Sequence, residues 1–480
     1  MGTLLLLTAG ALLVHGYHPF AEDAEIYLPG VEARLHPKLF PVGREFFLSH
    51  ASLTFFPNAV AFSLRVSHLP MEVGLFLWHV ASIFLLLLAC WELSGTLFPD
   101  TNKARWGGVC LVAALLTIPV AGTALYIMDQ YLNPRNLAAF AGIFMVTRTL
   151  EKKYLMAFLW LVFAACMHPL MWVFPFSFCV LLLVMDKFDN RWKSTVAANF
   201  LSLGTPMAPA NSAAYHEAAK RHGFHYIQNW QWYELLGVVA PLVLFWWFKK
   251  TARHRQWSMV ERVSRAFIVY GTIYLLAAVV VDLPARFEAL ARLQPLRSLH
   301  LLYIVMFVMM GGFIGEFLLR DRVWRWLLLF IPLCTGVFLA QRSLFPASPH
   351  VEWPGAAPRN PWEQAFVWIR QNTPVDALFA LDPDYMQIPG EDNTGFRCLA
   401  ERSRLADFGK DNGVVSMFPP LAEEWWAQVQ AQTPWQSLIA KDFSQLKSKY
   451  GVNWVVLQQP GVAGLDCLYQ NGAVKVCRLP

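Results

Sequence analysis

The sequence predicts a mainly α-helical, polytopic membrane protein: a bundle of about eleven transmembrane helices carrying a small α/β domain at its carboxy terminus. Three observations predict it. Of the 480 residues, 56% are hydrophobic and only 15% are charged, with a mean hydropathy of +0.38; soluble domains carry about 25% charged residues. Apolar runs of near-spanning length follow one another to about residue 342. At about Phe345 that pattern stops, and a proline-rich stretch opens onto a segment with the periodicities of a soluble fold.

The first run, MGTLLLLTAGALLVHGY, lacks a cationic n-region and is followed by a poor cleavage site, so a retained first helix is expected. It gives way to an acidic loop, Tyr17 to Pro57, holding Glu22, Asp23, Glu25, His18, His36, His50, Tyr27, Arg34 and Arg44. The acids either solvate the mouth of the first helix or form a site. Ala51 to Leu69 mixes Phe55, Phe56, Phe62 and Leu64 with Asn58, Ser63 and Arg65, the pattern of a helix lying on the membrane surface. Further apolar runs span about 71–92, 106–128, 134–149, 154–167, 169–186, 194–209, 231–248, 263–283, 297–319 and 325–342. Pro169 breaks the fifth of these from the fourth, because it removes a backbone donor.

Charge orients the bundle. With the amino terminus in the cytoplasm, loops 94–105, 148–153, 186–193, 249–265 and 320–325 lie inside, and each is basic. This is the placement expected of an inner (plasma) membrane protein, and it accounts for the net charge of +6 without invoking nucleic acid. An odd number of crossings then puts the carboxy-terminal domain on the same outer face as the acidic loop. The expected division is a membrane domain over 1–344 with its acidic loop at 17–57, a proline-rich linker over 345–361, and an extracytoplasmic α/β domain over 362–480.

In that domain PWEQAFVWIRQNTP places Ala365, Phe366 and Ile369 on one helix face and ends at Thr373-Pro374. Strands are expected at 377–382 and 452–459, helices over PPLAEEWWAQVQAQ and WQSLIAKDFSQLKSKYG, and a hairpin over CLYQNGAVKVC turning at Asn471-Gly472. A two-residue Asn-Gly turn pairs Asp466 with Cys477; a three-residue loop pairs Cys467 with Cys477 and permits a disulfide. Cys90, Cys110, Cys166, Cys179 and Cys334 sit inside apolar runs and read as small core hydrophobes. No CxxC or His/Cys cluster with zinc spacing occurs.

Charges at membrane edges are costly and need a reason. Asp129 and Arg135 bracket the loop MDQYLNPRN, His168 sits at a break between runs, and Glu234, Asp282, Arg286, Arg292 and Arg297 fall at outer ends, Glu316 at an inner one. Each could anchor a helix end by snorkelling. As a group, Arg135, His168, Arg286, Arg292 and Arg297 lie on the face where positive charge is disfavoured and where Glu22 and Asp23 lie. Such a cluster suits an anionic lipid headgroup held by guanidinium contacts. His216, His222 and His225 in loop 210–230 add a weak metal pattern. The charges of the last domain, among them Asp382, Asp384, Glu391, Asp392, Arg397, Glu401, Arg402, Arg404, Asp407, Lys410 and Asp411, read either as salt links or as acceptor-recognising loops beyond strand ends.

An acidic pair in the first outer loop, about ten or more spans including short ones, and an outer carboxy-terminal α/β domain together resemble the GT-C superfamily of membrane glycosyltransferases. Stretches such as NPRNLAA, MHPLMWVF, LQPLRSL and NTPVDALFALDPDYM are similar to uncharacterised bacterial membrane proteins related to it. The resemblance implies transfer of a sugar from a polyprenyl-phosphate-linked donor to an acceptor at the outer face, with lipid and donor as partners. It implies Asp23 as general base, or as ligand of a divalent cation such as Mg or Mn, with Glu22 supporting it. Arg135, Arg297 and His168 would neutralise the phosphate leaving group. The loop carries no strict DxD. A flippase for lipid-linked saccharides or a non-catalytic assembly or sensor protein is the other reading; the first calls for internal repeats, the second for replaceable Glu22 and Asp23.

Overall fold

The computed structural model describes residues 1–188, 212–282 and 293–480, and over these the chain is mainly helical with one small sheet near its end. Among the described residues five helices are long and apolar enough to cross a membrane: Met71–Leu97, Trp232–Arg255, Ser258–Val281, Pro295–Leu319 and Val323–Leu344. Gly2–His15 and Tyr154–Met167 are apolar but shorter. Val323–Leu344 buries only Gln341 and turns Trp324, Leu327, Leu328 and Ile331 outward, which hydrocarbon tolerates and water does not.

At the centre lies Pro134–Leu150, buried along nearly its whole length. Asn133 caps it by accepting the Arg135 N–H at 2.9 Å, and Pro134 at the first position lacks a donor that would be orphaned anyway. Asn102–Ala114 meets Ser298–Phe313 at backbone distance. A Cβ on Gly107 would lie 2.2 Å from the Gly311 carbonyl oxygen, so only glycine permits this crossing.

The run 106–128, expected as one crossing, is helical only to Ala114. Pro119 has no N–H and bars Ile118 from helical backbone. The chain instead folds back on itself, with Val120 N–H donating to Leu125 and Met128 N–H to Leu116, both at 2.8 Å. The run 194–209 lies outside the described residues. His168-Pro169 separates two helices, Tyr154–Met167 and Val173–Phe188. The expected surface helix is Phe56–Ser67, with Val60, Ala61 and Leu64 buried and Phe62 and Val66 exposed. Of the five cysteines expected as core, Cys90 and Cys179 are buried and Cys110 and Cys334 are half-buried, while Cys166 is exposed on the apolar helix Tyr154–Met167.

The sheet has five strands, β1 (Leu378–Ala380), β2 (Ser403–Arg404), β3 (Trp454–Gln458), β4 (Asp466–Gln470) and β5 (Val474–Arg478), in the order β2-β1-β3-β5-β4. β1 runs parallel to β2 and β3, and the rest are antiparallel. Helix Pro361–Asn372 covers it with Trp362, Ala365, Phe366 and Ile369. In the β4–β5 hairpin Asn471 N–H donates to Val474, so the turn centres on Gly472-Ala473 rather than on Asn471-Gly472. A bulge between Cys467 and Tyr469 then shifts the register by one and sets Cys467 opposite Cys477, where they form a disulfide.

The acidic loop docks on this carboxy-terminal part by backbone pairing. Tyr17 bridges Val351, Ala21 bridges Thr394, and Gly395 N–H donates to Phe20 at 2.7 Å. A sealed ion cluster fastens the contact. Glu25 accepts from Arg404 at 3.0 Å and lies 3.6 Å from Arg397, which forks onto Asp411 at 2.8 Å through both terminal nitrogens, while Arg404 also pairs with Asp407. All five side chains are buried. Asp407 further accepts the N–H groups of Lys410 and Asp411, both at 2.8 Å, at the start of helix Asp411–Met417. Burial pushes the Glu25 carboxyl up despite both arginines.

Candidate functional site

A cavity of about 440 Å³ opens between the acidic loop, the fold-back after Ala114, the break at His168, the start of the Pro295–Leu319 helix and the loop before Asp411–Met417. Its lining contains three carboxylates (Glu22, Asp23, Asp129) and three cations (Arg135, Arg297, Lys410). The charges balance.

Glu22 has φ of +54°, a left-handed conformation that costs a non-glycine residue about 1–3 kcal/mol. Its N–H is held by the Asn393 carbonyl at 2.8 Å. In extended backbone the side chains of two consecutive residues point to opposite faces. The left-handed turn lets Glu22 and Asp23 converge instead on one group, the Lys410 ammonium: Glu22 Oε2 pairs with it directly and Asp23 Oδ1 lies 3.1 Å away. The other oxygens are engaged as well. Glu22 Oε1 accepts from Asn393 Nδ2, and Asp23 Oδ2 accepts from Arg135 at 3.3 Å.

Arg135, in the first turn of the central helix, forks onto Asp129, with Nε 3.1 Å from Oδ2 and a terminal nitrogen 3.0 Å from Oδ1. The Tyr131 hydroxyl accepts the Asp23 N–H at 3.3 Å. Burial pushes the Asp23 carboxyl up, but Lys410 and Arg135 outweigh it and hold the group well below the usual range. The same pairing works on Lys410: burial would release its proton, and Glu22 and Asp23 retain it well above the ordinary lysine range.

Arg297 closes the cavity at a 3₁₀ turn, Pro295–Arg297, and its Nε is buried without a hydrogen-bond partner. A buried guanidinium donor is costly to leave unmade, and the residue lines the cavity. At His168, Nδ1 accepts the N–H groups of Leu170 and Met171, both at 3.2 Å. That fixes the ring proton on Nε2 as a donor. His50 pairs with the Tyr27 hydroxyl at 3.3 Å on the same wall.

The five residues proposed from the sequence, Glu22, Asp23, Arg135, His168 and Arg297, therefore line one cavity. Other candidates lie elsewhere. Glu234 accepts the Gln231 N–H at 2.7 Å and caps its own helix, and Glu316 accepts the Thr101 hydroxyl. Arg286 and Arg292 are outside the described residues, as is the side chain of Asp282. His216 is exposed while His222 lines the cavity, and no group of three potential metal ligands occurs among the described residues. In the last domain Asp384 pairs with Arg221 at 3.0 Å and Arg402 holds the Thr373 carbonyl at 2.8 Å, which are structural links.

The sequence reading misses Asn393 and Tyr131, and it meets Lys410 only as one of many charges in the last domain. The only signal for Lys410 was its place in the charged run ADFGKD, and nothing in the sequence joins it to Glu22, 388 positions away. The donor set does not fit a divalent cation, because the point on which Glu22 Oε2 and Asp23 Oδ1 converge is filled by the Lys410 ammonium, while their other oxygens pair with Asn393 and Arg135.

The chain matches no protein-family profile and no curated protein. Among solved structures it is similar to the apo oligosaccharyltransferase of Archaeoglobus fulgidus, at 10% identity and a TM-score of 0.50 over 95% of this chain and 69% of that one. The same enzyme with Zn and sulfate matches at 12% identity and a TM-score of 0.46, over 95% and 67%. As AglB with an inhibitory peptide and a dolichol-phosphate it matches at 11% and 0.46, over 95% and 69%. The likeness to the apo enzyme is one of fold.

Proposed function

We propose that the protein is an integral membrane glycosyltransferase that moves a sugar from a polyprenyl-phosphate-linked donor to an acceptor at the outer face of the membrane. One observation carries the reading. An ionised carboxylate, Asp23, shares a cavity with the guanidinium groups of Arg135 and Arg297 and with the Nε2–H of His168. Glycosyl transfer from a lipid phosphate needs fixed positive charge where the phosphate departs and a carboxylate within reach of the acceptor hydroxyl. The fold neighbour is an oligosaccharyltransferase, which agrees with that chemistry.

In this reading Arg297 and the His168 Nε2–H receive the donor phosphate. A carboxylate held far below its ordinary range is a weak base, so Asp23 acts once the phosphate draws Arg135 toward itself and leaves the carboxylate freer to take a proton. Glu22 keeps Lys410 in place. The chain would be multi-pass with its amino terminus in the cytoplasm of an inner (plasma) membrane, the linker 345–361 and the domain 362–480 lying outside with the acidic loop. The test is Asp23→Asn in membranes supplied with polyprenyl-phosphate-linked sugar. Transfer is expected to fall about 10²–10⁴-fold; a variant that transfers normally removes Asp23 from the reaction.

A further inference from the structure

We infer that this site carries its own cation: the Lys410 ammonium takes the place between Glu22 and Asp23 that a divalent metal would need, so the acidic pair works without one. The inference concerns the site proposed above but not its chemistry. Two adjacent carboxylates converging on one point are the usual oxygen set of Mg²⁺ or Mn²⁺. Here the point of convergence is a side-chain nitrogen, with Asp23 Oδ1 at 3.1 Å and Glu22 Oε2 in direct contact.

Lys410 is not a surface side chain that has drifted in. Its backbone N–H is fixed by Asp407 at 2.8 Å, and Asp407 is itself buried under Arg404. Charge points the same way. With Lys410 present the cavity's three carboxylates are matched by three cations, and a divalent ion would enter a site with no negative charge to spare. Without Lys410 the site is left anionic, with two carboxylate oxygens facing the vacated position. Because Lys410 belongs to the carboxy-terminal part and the acids to the first loop, docking of the two parts is what delivers the cation.

Mn²⁺ binding to the purified full-length chain, read by loss of the free-ion EPR signal, tests this without requiring turnover. The wild-type chain is expected to bind no Mn²⁺ at this site up to millimolar concentration. Lys410→Ala is expected to bind one Mn²⁺ at least about tenfold more tightly than wild type, and Asp23→Asn added to it abolishes the gain. Lys410→Gln repeats the test should the alanine variant fail to fold. Stoichiometric Mn²⁺ on the wild-type chain that disappears in Asp23→Asn overturns the inference. So does a folded Lys410→Ala or Lys410→Gln chain that gains no site. An inactive chain with this binding pattern sinks the transferase reading alone.

Discussion

Two ion clusters flank the same short segment of the first loop, and they behave as opposites. On one side Glu25 closes onto Arg397, Arg404, Asp407 and Asp411 with no space left and no solvent contact. On the other, Glu22 and Asp23 pair with Lys410 and Arg135 around a cavity of about 440 Å³. Both join the first loop to the carboxy-terminal part, and Lys410 and Asp411 are chain neighbours facing different clusters. Composition therefore does not separate structure from function here. What separates them is whether the charges close on one another or line an open volume.

The largest effect should come from the sealed cluster. Arg404→Met strands Glu25 and Asp407 in a dry interior, and breaking such a pair costs about 3–5 kcal/mol. Loss of monodisperse protein, or a steep drop in unfolding temperature, is the expected result; an unchanged melt erases the contrast between the clusters. Asp23→Asn should do the reverse, abolishing transfer while the melting temperature stays within a few degrees of wild type. An Asp23 variant that loses activity only in proportion to its lost stability makes both clusters structural.

Arg297→Lys keeps the charge but not the planar fork that grips phosphate. The KM for the lipid-linked donor should rise by about tenfold, with a smaller change in kcat, in steady-state assays. Equal KM values mean that the phosphate is held elsewhere.

The smallest effect concerns the linker. His18 Nδ1 and Glu352 lie 2.6 Å apart. Burial pushes the Glu352 carboxyl up to about 8 from 4.5, and burial also lowers His18 to about 3. The pair thus shares one proton, donated by the neutral acid. Between about 4.5 and 6.5 the unfolded chain also carries one proton, on His18 rather than on Glu352, so the contact is most stabilising there; it weakens as pH rises from 6.5 toward 8, where only the folded chain keeps its proton. Amide exchange across 349–353, corrected for intrinsic rate, should increase between about pH 7 and about pH 9, and Glu352→Gln should remove the dependence. A flat profile in the wild-type chain rules out the shared proton.

Read from one end to the other, the sequence determined the membrane character, most of the long apolar helices, the switch to a sheet-bearing unit after the prolines, and the cap that seats Arg135. These depend on local pattern: hydrophobic length, Asn-Pro at a helix start, alternation in a strand. It misjudged the run after Ala114, where total hydropathy looks like a crossing but Pro119 turns the chain back to line the cavity. Only the tertiary structure decided that Glu22, Asp23, Arg135, His168 and Arg297 share one space, that Glu25 belongs to another cluster, and that Lys410 completes the pair. Pairing across 388 positions leaves no periodic trace in a chain, because which charges meet is set by how the helices and the sheet pack.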